Sequence, residues 1–215
     1  MTLTNFTLVP APAAVLALLG AAAATLALLA ATAVSALAGR AGLARRLGFA
    51  SAAIPAFYAV FLFGVGAATR ERTVPRGAEK FFCEIDCHVG YSVVGVAEGP
   101  PGRARSVVVS VRARFDETTI APWRGNAPLT PNPRAAALVD GRGARFPADP
   151  SGIAALSLPL RPGESHTAEL AFLVPEAFRV AGDLRLSLVE SEGPVRLLLG
   201  HERAPLAGET FLALR

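Results

Sequence analysis

The sequence predicts a two-helix transmembrane hairpin followed by an all-β sandwich. Three observations carry this. Residues 1–39 hold no charged side chain, and a short arginine-bearing step separates them from a second uncharged run at residues 47–69. Past Pro75 the long apolar runs give way to alternating apolar and polar residues, as half-buried strands require. Charged residues make up 18% of the 215-residue chain. An ordinary soluble domain has about 25%, and the deficit lies almost entirely in the first third.

The hairpin is expected over residues 1–69, with spans at about residues 11–38 and 48–68. Crossing the hydrocarbon core takes roughly 20 apolar residues, which each run supplies. The first span is rich in alanine and leucine, and Gly20, Ala24 and Ala31 let helices approach closely in lipid. The second carries aromatic bulk in Phe49, Phe57, Tyr58, Phe61 and Phe63, with Pro55 inside it as a candidate kink. Neither span holds an ionisable acid, lysine, arginine or histidine, which argues against an ion or proton pathway between them. Arg40, Arg45 and Arg46 place the connection in the cytoplasm by the positive-inside rule, with the N-terminus and the head outside. The rival is a cleaved signal peptide ending at Ala36-Leu37-Ala38. The start lacks a basic region, and the apolar stretch exceeds the usual ~7–15 residues.

Residues 70–80 read as a juxtamembrane linker and residues 81–215 as the sandwich. In residues 106–115, Val107, Val109, Val111, Ala113 and Phe115 point one way while Ser110, Arg112 and Arg114 point the other. Ala168, Leu170, Phe172 and Val174 repeat the pattern, as do Leu184, Leu186 and Leu188, with Arg185 and Ser187 outward. Asp140-Gly141 predicts a tight hairpin with a two-residue type I′ turn. Further short strands are expected at residues 91–96, 195–199 and 210–214. Residues 117–134, with Pro122, Pro128, Pro131 and Pro133, read as a long surface loop. The pattern shows no convincing amphipathic helix in the head.

The net charge of +4 does not imply a nucleic-acid partner. Three of the 21 basic residues sit between the spans, and the rest face 17 acids in the head, so no concentrated basic face is left for phosphates. Lys80 is the single lysine. This arginine bias, together with the abundant alanine, suggests a GC-rich bacterial genome.

Residues 106–190 resemble the immunoglobulin-like domain of unknown function found in many bacterial membrane-anchored and lipoprotein-type envelope proteins. The resemblance rests on an ordered series of segments: Val107 to Val111, Leu138-Val139-Asp140-Gly141, Leu160-Arg161-Pro162-Gly163-Glu164, Leu170 through Pro175, and Leu184 to Leu188. It implies an extracytoplasmic Ig-like module and brings no catalytic residues.

One cluster could carry chemistry: Phe82-Cys83-Glu84-Ile85-Asp86-Cys87-His88. A disulfide between Cys83 and Cys87 is the leading reading for an exported domain. It requires a turn, because residues four apart in an extended strand lie about 13 Å from each other and a bridge needs less than about 7 Å. A copper or zinc site using Cys83, Cys87 and His88 is the second reading. Two spans followed by an external β domain with Cys-x-x-x-Cys is similar to cytochrome c oxidase subunit II. That family's copper motif, however, wants histidine and methionine where this chain has Tyr91 and Val94. Haem c attached through the two cysteines, with His88 as ligand, is the third. Reduced thiols are the fourth; Glu84 and Asp86 would raise their pKa values.

His166 and His201 read as surface or edge histidines. Trp123, with Arg124, is either an exposed partner anchor or, by default, packed on the sandwich. No motif for hydrolysis, phosphate binding or dinucleotide binding is present. The expectation is a non-enzymatic envelope protein without a cofactor. It is anchored in membrane lipid and carries a binding or assembly head for a protein partner, with an accessory subunit of a membrane complex as one form of that role. A metal- or haem-dependent electron-transfer accessory is the alternative.

Overall fold

The two uncharged runs become helices α1 (Ala11–Leu37) and α2 (Ala41–Ala68) in a computed structural model that describes residues 3–83, 87–100, 104–175, 178, 182, 184–190 and 194–215. The chain forms two compact units. One is Phe6–Arg70 with Pro194–Gly208, and the other is Met1–Asn5, Glu71–Gly193 and Glu209–Arg215.

In the helical unit, Pro12 stands in the first turn of α1, where its missing N–H leaves no bond unmade. The last turn closes as a Schellman motif, with Gly39 N donating to Ala36 O and Arg40 N to Ser35 O. The second helix starts seven residues before the expected span, so Arg45 and Arg46 lie on α2 and not in a loop. Arginine and alanine are good helix formers, and charge alone does not stop a helix. Helix α2 runs unbroken through Pro55. Leu16, Leu26, Phe57 and Val60 are each about two-thirds exposed, so α1, and α2 beyond Arg46, are apolar all round. Each is long and apolar enough to cross a membrane.

Pro194–Gly208 belongs to this unit, and the strand expected at residues 195–199 is instead a 3-10 helix, Pro194–Leu197. Val195 and Leu198 are buried while Arg196 and Leu197 are exposed, a spacing of three that a strand cannot use. The segment touches α2 at Gly66, where a Cβ would lie 2.1 Å from the Pro205 carbonyl oxygen. Only glycine permits that approach.

The other unit is a β-sandwich. Its strands are β1 (Leu3–Thr4), β2 (Arg72–Val74), β3 (Lys80–Phe82), β4 (Val89–Glu98), β5 (Ala104–Phe115), β6 (Ala135–Asp140), β7 (Arg145–Pro147), β8 (Ser165–Pro175), β9 (Leu184–Val189) and β10 (Thr210–Ala213). One sheet has the order β1-β3-β4-β5-β8 and the other β2-β10-β9-β6-β7. The expected linker at residues 70–80 is therefore part of the sandwich. It supplies β2, parallel to β10, and the first residue of β3. Three-residue strands flanking Pro75-Arg76-Gly77 are too short to show alternation.

The long strands follow the predicted alternation. Val107, Val109 and Val111 of β5 stand opposite Phe172, Leu170 and Ala168 of β8, all turned into the core. Leu138, Leu186 and Leu188 meet them from the second sheet. A bulge between Val93 and Gly95 turns Val94 outward. Ser187, expected outward on a wet face, is 1% exposed, because Arg145 and Glu209 bond to its hydroxyl and cover it.

Two local expectations need correction. The Asp140-Gly141 hairpin is not a two-residue type I′ turn: positive φ falls on Gly143 (+86°), and Gly143 N donates to Asp140 O. The Asp140 carboxylate also accepts from Arg142 N and Ala144 N, which fixes the wider turn. The head also contains a seven-residue helix, α3 (Pro150–Leu156), that apolar periodicity did not reveal. Its cap is legible afterwards, with Asp149 accepting from Ser151 N and Pro150 in the first turn. Replacing the fully buried Leu170 by alanine should cost about 2–5 kcal/mol in urea-monitored unfolding.

Candidate functional site

The predicted cluster lies where β3 leads into β4. Cys83 and Cys87 form a disulfide, with Cα atoms 4.2 Å apart. The intervening Glu84, Ile85 and Asp86 lie outside the described residues. Cys83 is 2% exposed, and Asn5 brackets its backbone. The Asn5 amide donates to Cys83 O at 3.3 Å, and its carbonyl accepts from Cys83 N at 2.9 Å. With each sulfur bonded to the other, this form offers no thiolate to copper or zinc and none to a haem vinyl group. Among the described residues, no group of three or more His, Cys, Asp or Glu could hold a metal ion.

His88 is a core histidine. It is 5% exposed, its Nδ1 lies 2.6 Å from Thr119 Oγ1, and its ring is 5.8 Å from that of Phe115. Its carbonyl accepts from Asp116 N. Below it a cleft of about 240 Å³ is lined by Phe82, His88, Leu129, Thr130, Asn132 and Glu190. The Tyr91 hydroxyl donates to Glu190 Oε1 at 3.0 Å, linking β4 to the end of β9 across the two sheets. Burial pushes the Tyr91 phenol well above its ordinary range, and the Glu190 charge pushes it the same way.

Asp116, bonded through its backbone to His88, belongs to an ionic cluster. Arg114 forks onto Glu79 with two bonds of 2.8 Å and lies 3.3 Å from Asp116. For Asp116, burial raises the carboxyl pKa, but the Thr118 amide and hydroxyl and the Arg114 charge outweigh it and hold the group below its usual range. Asp116 also caps the 3-10 turn Glu117–Thr119, which begins the loop at residues 117–134.

Trp123 departs from the packed default: it is 89% exposed in the second 3-10 turn, Pro122–Arg124. Its neighbour Arg124 turns back, with Cζ 5.2 Å from the centroid of the fully buried Phe115. The guanidinium thus holds the turn on the sandwich while the indole projects away. The loop is also fastened by paired backbone bonds between Leu129 and Leu160.

The remaining histidines are less exposed than expected. His201 belongs to the helical unit, is 3% exposed, stands edge-on to Phe6 and accepts from Arg203 N. Its bridge to Phe6 links segments almost two hundred residues apart, which local pattern cannot reveal. His166 is half-buried on β8 opposite Ala113, and its enclosed ring nitrogens have no partner among the described residues. Sequence reasoning missed Glu190 as a cleft residue, and Tyr91 and Thr119 as the partners of Glu190 and His88. The one available signal was a tyrosine at a core-facing strand position, since a buried hydroxyl needs a partner.

Comparison with known protein families and with curated proteins gives no match. A crystal structure of an uncharacterized β-sandwich protein from Clostridium difficile 630 aligns with 68% of this chain and 96% of its own, at 6% identity and a TM-score of 0.39.

Two outcomes follow. Thiol titration should find no reactive thiol before reduction, and replacing Cys83 and Cys87 together by serine should lower stability by roughly 2 kcal/mol, the chain-entropy value for so short a ring. The raised Tyr91 phenol stays protonated in the folded head where the unfolded chain ionises. Its contribution is therefore complete below about pH 10 and falls as pH rises further. Unfolding of Tyr91→Phe across that range should lack this alkaline loss, at a cost of about 1 kcal/mol near neutrality from the missing bond to Glu190.

Proposed function

We propose that this protein is a membrane-anchored binding or assembly module without catalytic chemistry of its own. Helices α1 and α2 cross a bacterial cytoplasmic membrane, and an Ig-like head on the outer face presents the loop at residues 117–134 to a protein partner in the membrane or envelope. The observation that carries this is Trp123, whose large apolar ring is left in solvent on a turn that is otherwise tied down. Exposed tryptophan on a preorganised support is the chemistry of an interface anchor, since little freedom is lost when a partner covers it. Such a partner would also pack on the alanine-rich helices.

The orientation rests on Arg40, Arg45 and Arg46 at the connected ends of the helices, with no acid near them to oppose the bias. An exported head is consistent with a disulfide, which persists in oxidising compartments. The Ig-like assignment draws on the order of segments from Val107 to Leu188, distributed over two facing sheets. An electron-transfer role through Cys83, Cys87 and His88 would need both sulfurs released first.

The test is co-purification from native membranes in mild detergent. Trp123→Ala should leave stability within about 0.5 kcal/mol, as for a surface site, yet lose the partner that the wild type retains. Equal retention by both proteins would overturn the proposal. Protease applied to intact spheroplasts should reach the head, and protection of the head there would refute the orientation.

A further inference from the structure

The segment Pro194–Gly208 does not behave as a loop made for water. Its backbone closes on itself in four successive i→i+3 turns: Leu198 N to Val195 O, His201 N to Leu198 O, Ala204 N to His201 O, and Ala207 N to Ala204 O. Side chains and the N-terminal arm take further groups. The Tyr58 hydroxyl donates to Leu197 O, Gly208 N donates to Thr69 Oγ1, and Thr7 N donates to Gly200 O. Where water is plentiful a connection has no need of such closure, whereas in lipid it is compulsory.

Its outward side chains point the same way. Leu8 is 71% exposed, Leu206 69% and Leu197 49%. Leu8 and Leu206 are the non-glycine residues with positive φ among the described residues, at 63° and 64°. A strained turn normally takes glycine or asparagine; leucine there is understandable only if its side chain has an apolar place to go. Of the polar side chains nearest the turn centre, His201 and Glu202 are buried within the protein and Arg203 is half-buried.

The contacts also set the depth. The segment meets α2 at Tyr58, Gly66 and Thr69, and so follows it for roughly 16 Å at 1.5 Å per residue. Were all of that stretch in water, the apolar run from Leu47 to Tyr58 would be left to cross alone. That is roughly 16 Å against a hydrocarbon core of about 30 Å. The segment must therefore share the bilayer with the end of α2.

We propose that Pro194–Gly208, with Leu8, is a lipid-seated collar. It lies in the leaflet remote from Arg45 and Arg46, with Leu8, Leu197 and Leu206 among acyl chains. Arg196, exposed beside Leu197, must turn its long side chain away from the acyl chains. This rests on the reading that α1 and α2 span the membrane.

The test places single tryptophans by quenching. In full-length protein carrying Trp123→Phe, the variants Leu8→Trp, Leu197→Trp and Leu206→Trp are reconstituted separately into phosphatidylcholine vesicles containing brominated acyl chains. Leu26→Trp on α1 reports the spanning helix, and Leu173→Trp on β8 reports the head in water. The collar variants should lose most of their emission, as Leu26→Trp does, while Leu173→Trp keeps its own. Quenching of Leu26→Trp with the collar positions unquenched would overturn the collar and leave the spanning helices standing. Collar emission that is blue-shifted yet unquenched would mean a protein cover, such as a second copy, and also overturns it. No quenching at Leu26→Trp would refute the spanning reading itself. The three exposed collar positions are independent, and absence of free thiol before reduction checks that each head has folded.

Discussion

A peptide N–H or C=O withdrawn from water must find a partner inside the chain, and each part of this protein meets that demand in its own way. The alanine–leucine third does so by helix, where every bond is made within the segment. The valine-rich strands do so by ladders, with β5 paired on both sides by β4 and β8. Pro194–Gly208, which is neither helix nor sheet, uses consecutive tight turns and the hydroxyls of Tyr58 and Thr69. The side-chain chemistry follows: apolar residues cover the satisfied backbone, and polar side chains remain where backbone groups still need them.

The edges of the sandwich show the second of these roles. Arg72 on β2 donates to Thr4 O on β1 and to Thr210 Oγ1, and Lys80 Nζ on β3 donates to Thr210 O on β10 at 2.7 Å. Both ties cross from one sheet to the other. Lys80 has no exposed surface and also lies 4.5 Å from the centre of the Phe82 ring. A cation so enclosed is tolerated because its protons are accepted and its charge faces an aromatic ring. On β4, where Tyr91 stands opposite Lys80 in the ladder, Tyr91 and Glu190 make a comparable cross-sheet link.

What was legible in the sequence was whatever repeats over many residues. Both helices and the strands β5, β8 and β9 carry long periodic patterns, and their inward residues are the ones alternation picked. Strands β1 and β2 are two or three residues long and exist through partners distant in sequence, so no local pattern could announce them, whereas the equally short β7 pairs with its neighbour β6 across the Asp140-Gly141 signal. The 3-10 helix at Pro194–Leu197 was mistaken for a strand because Val-Arg-Leu-Leu-Leu satisfies both descriptions until its burial is known. At the candidate site the cysteine spacing pointed to the right corner, but the Asn5 bracket and the Glu190 wall come from opposite ends of the chain. Trp123 was misjudged for a different reason. Composition favours packing a tryptophan, and only the fold shows that Arg124 took the place against Phe115.

The enclosure of Lys80 has a practical corollary. It is the chain's only lysine, so amine-directed labels and crosslinkers find no lysine handle on the native surface. A lysine-specific protease, for the same reason, can cut at this position only when the seam between β3 and β10 has parted. Cleavage there would serve as a clock for opening of the sandwich, without any introduced probe.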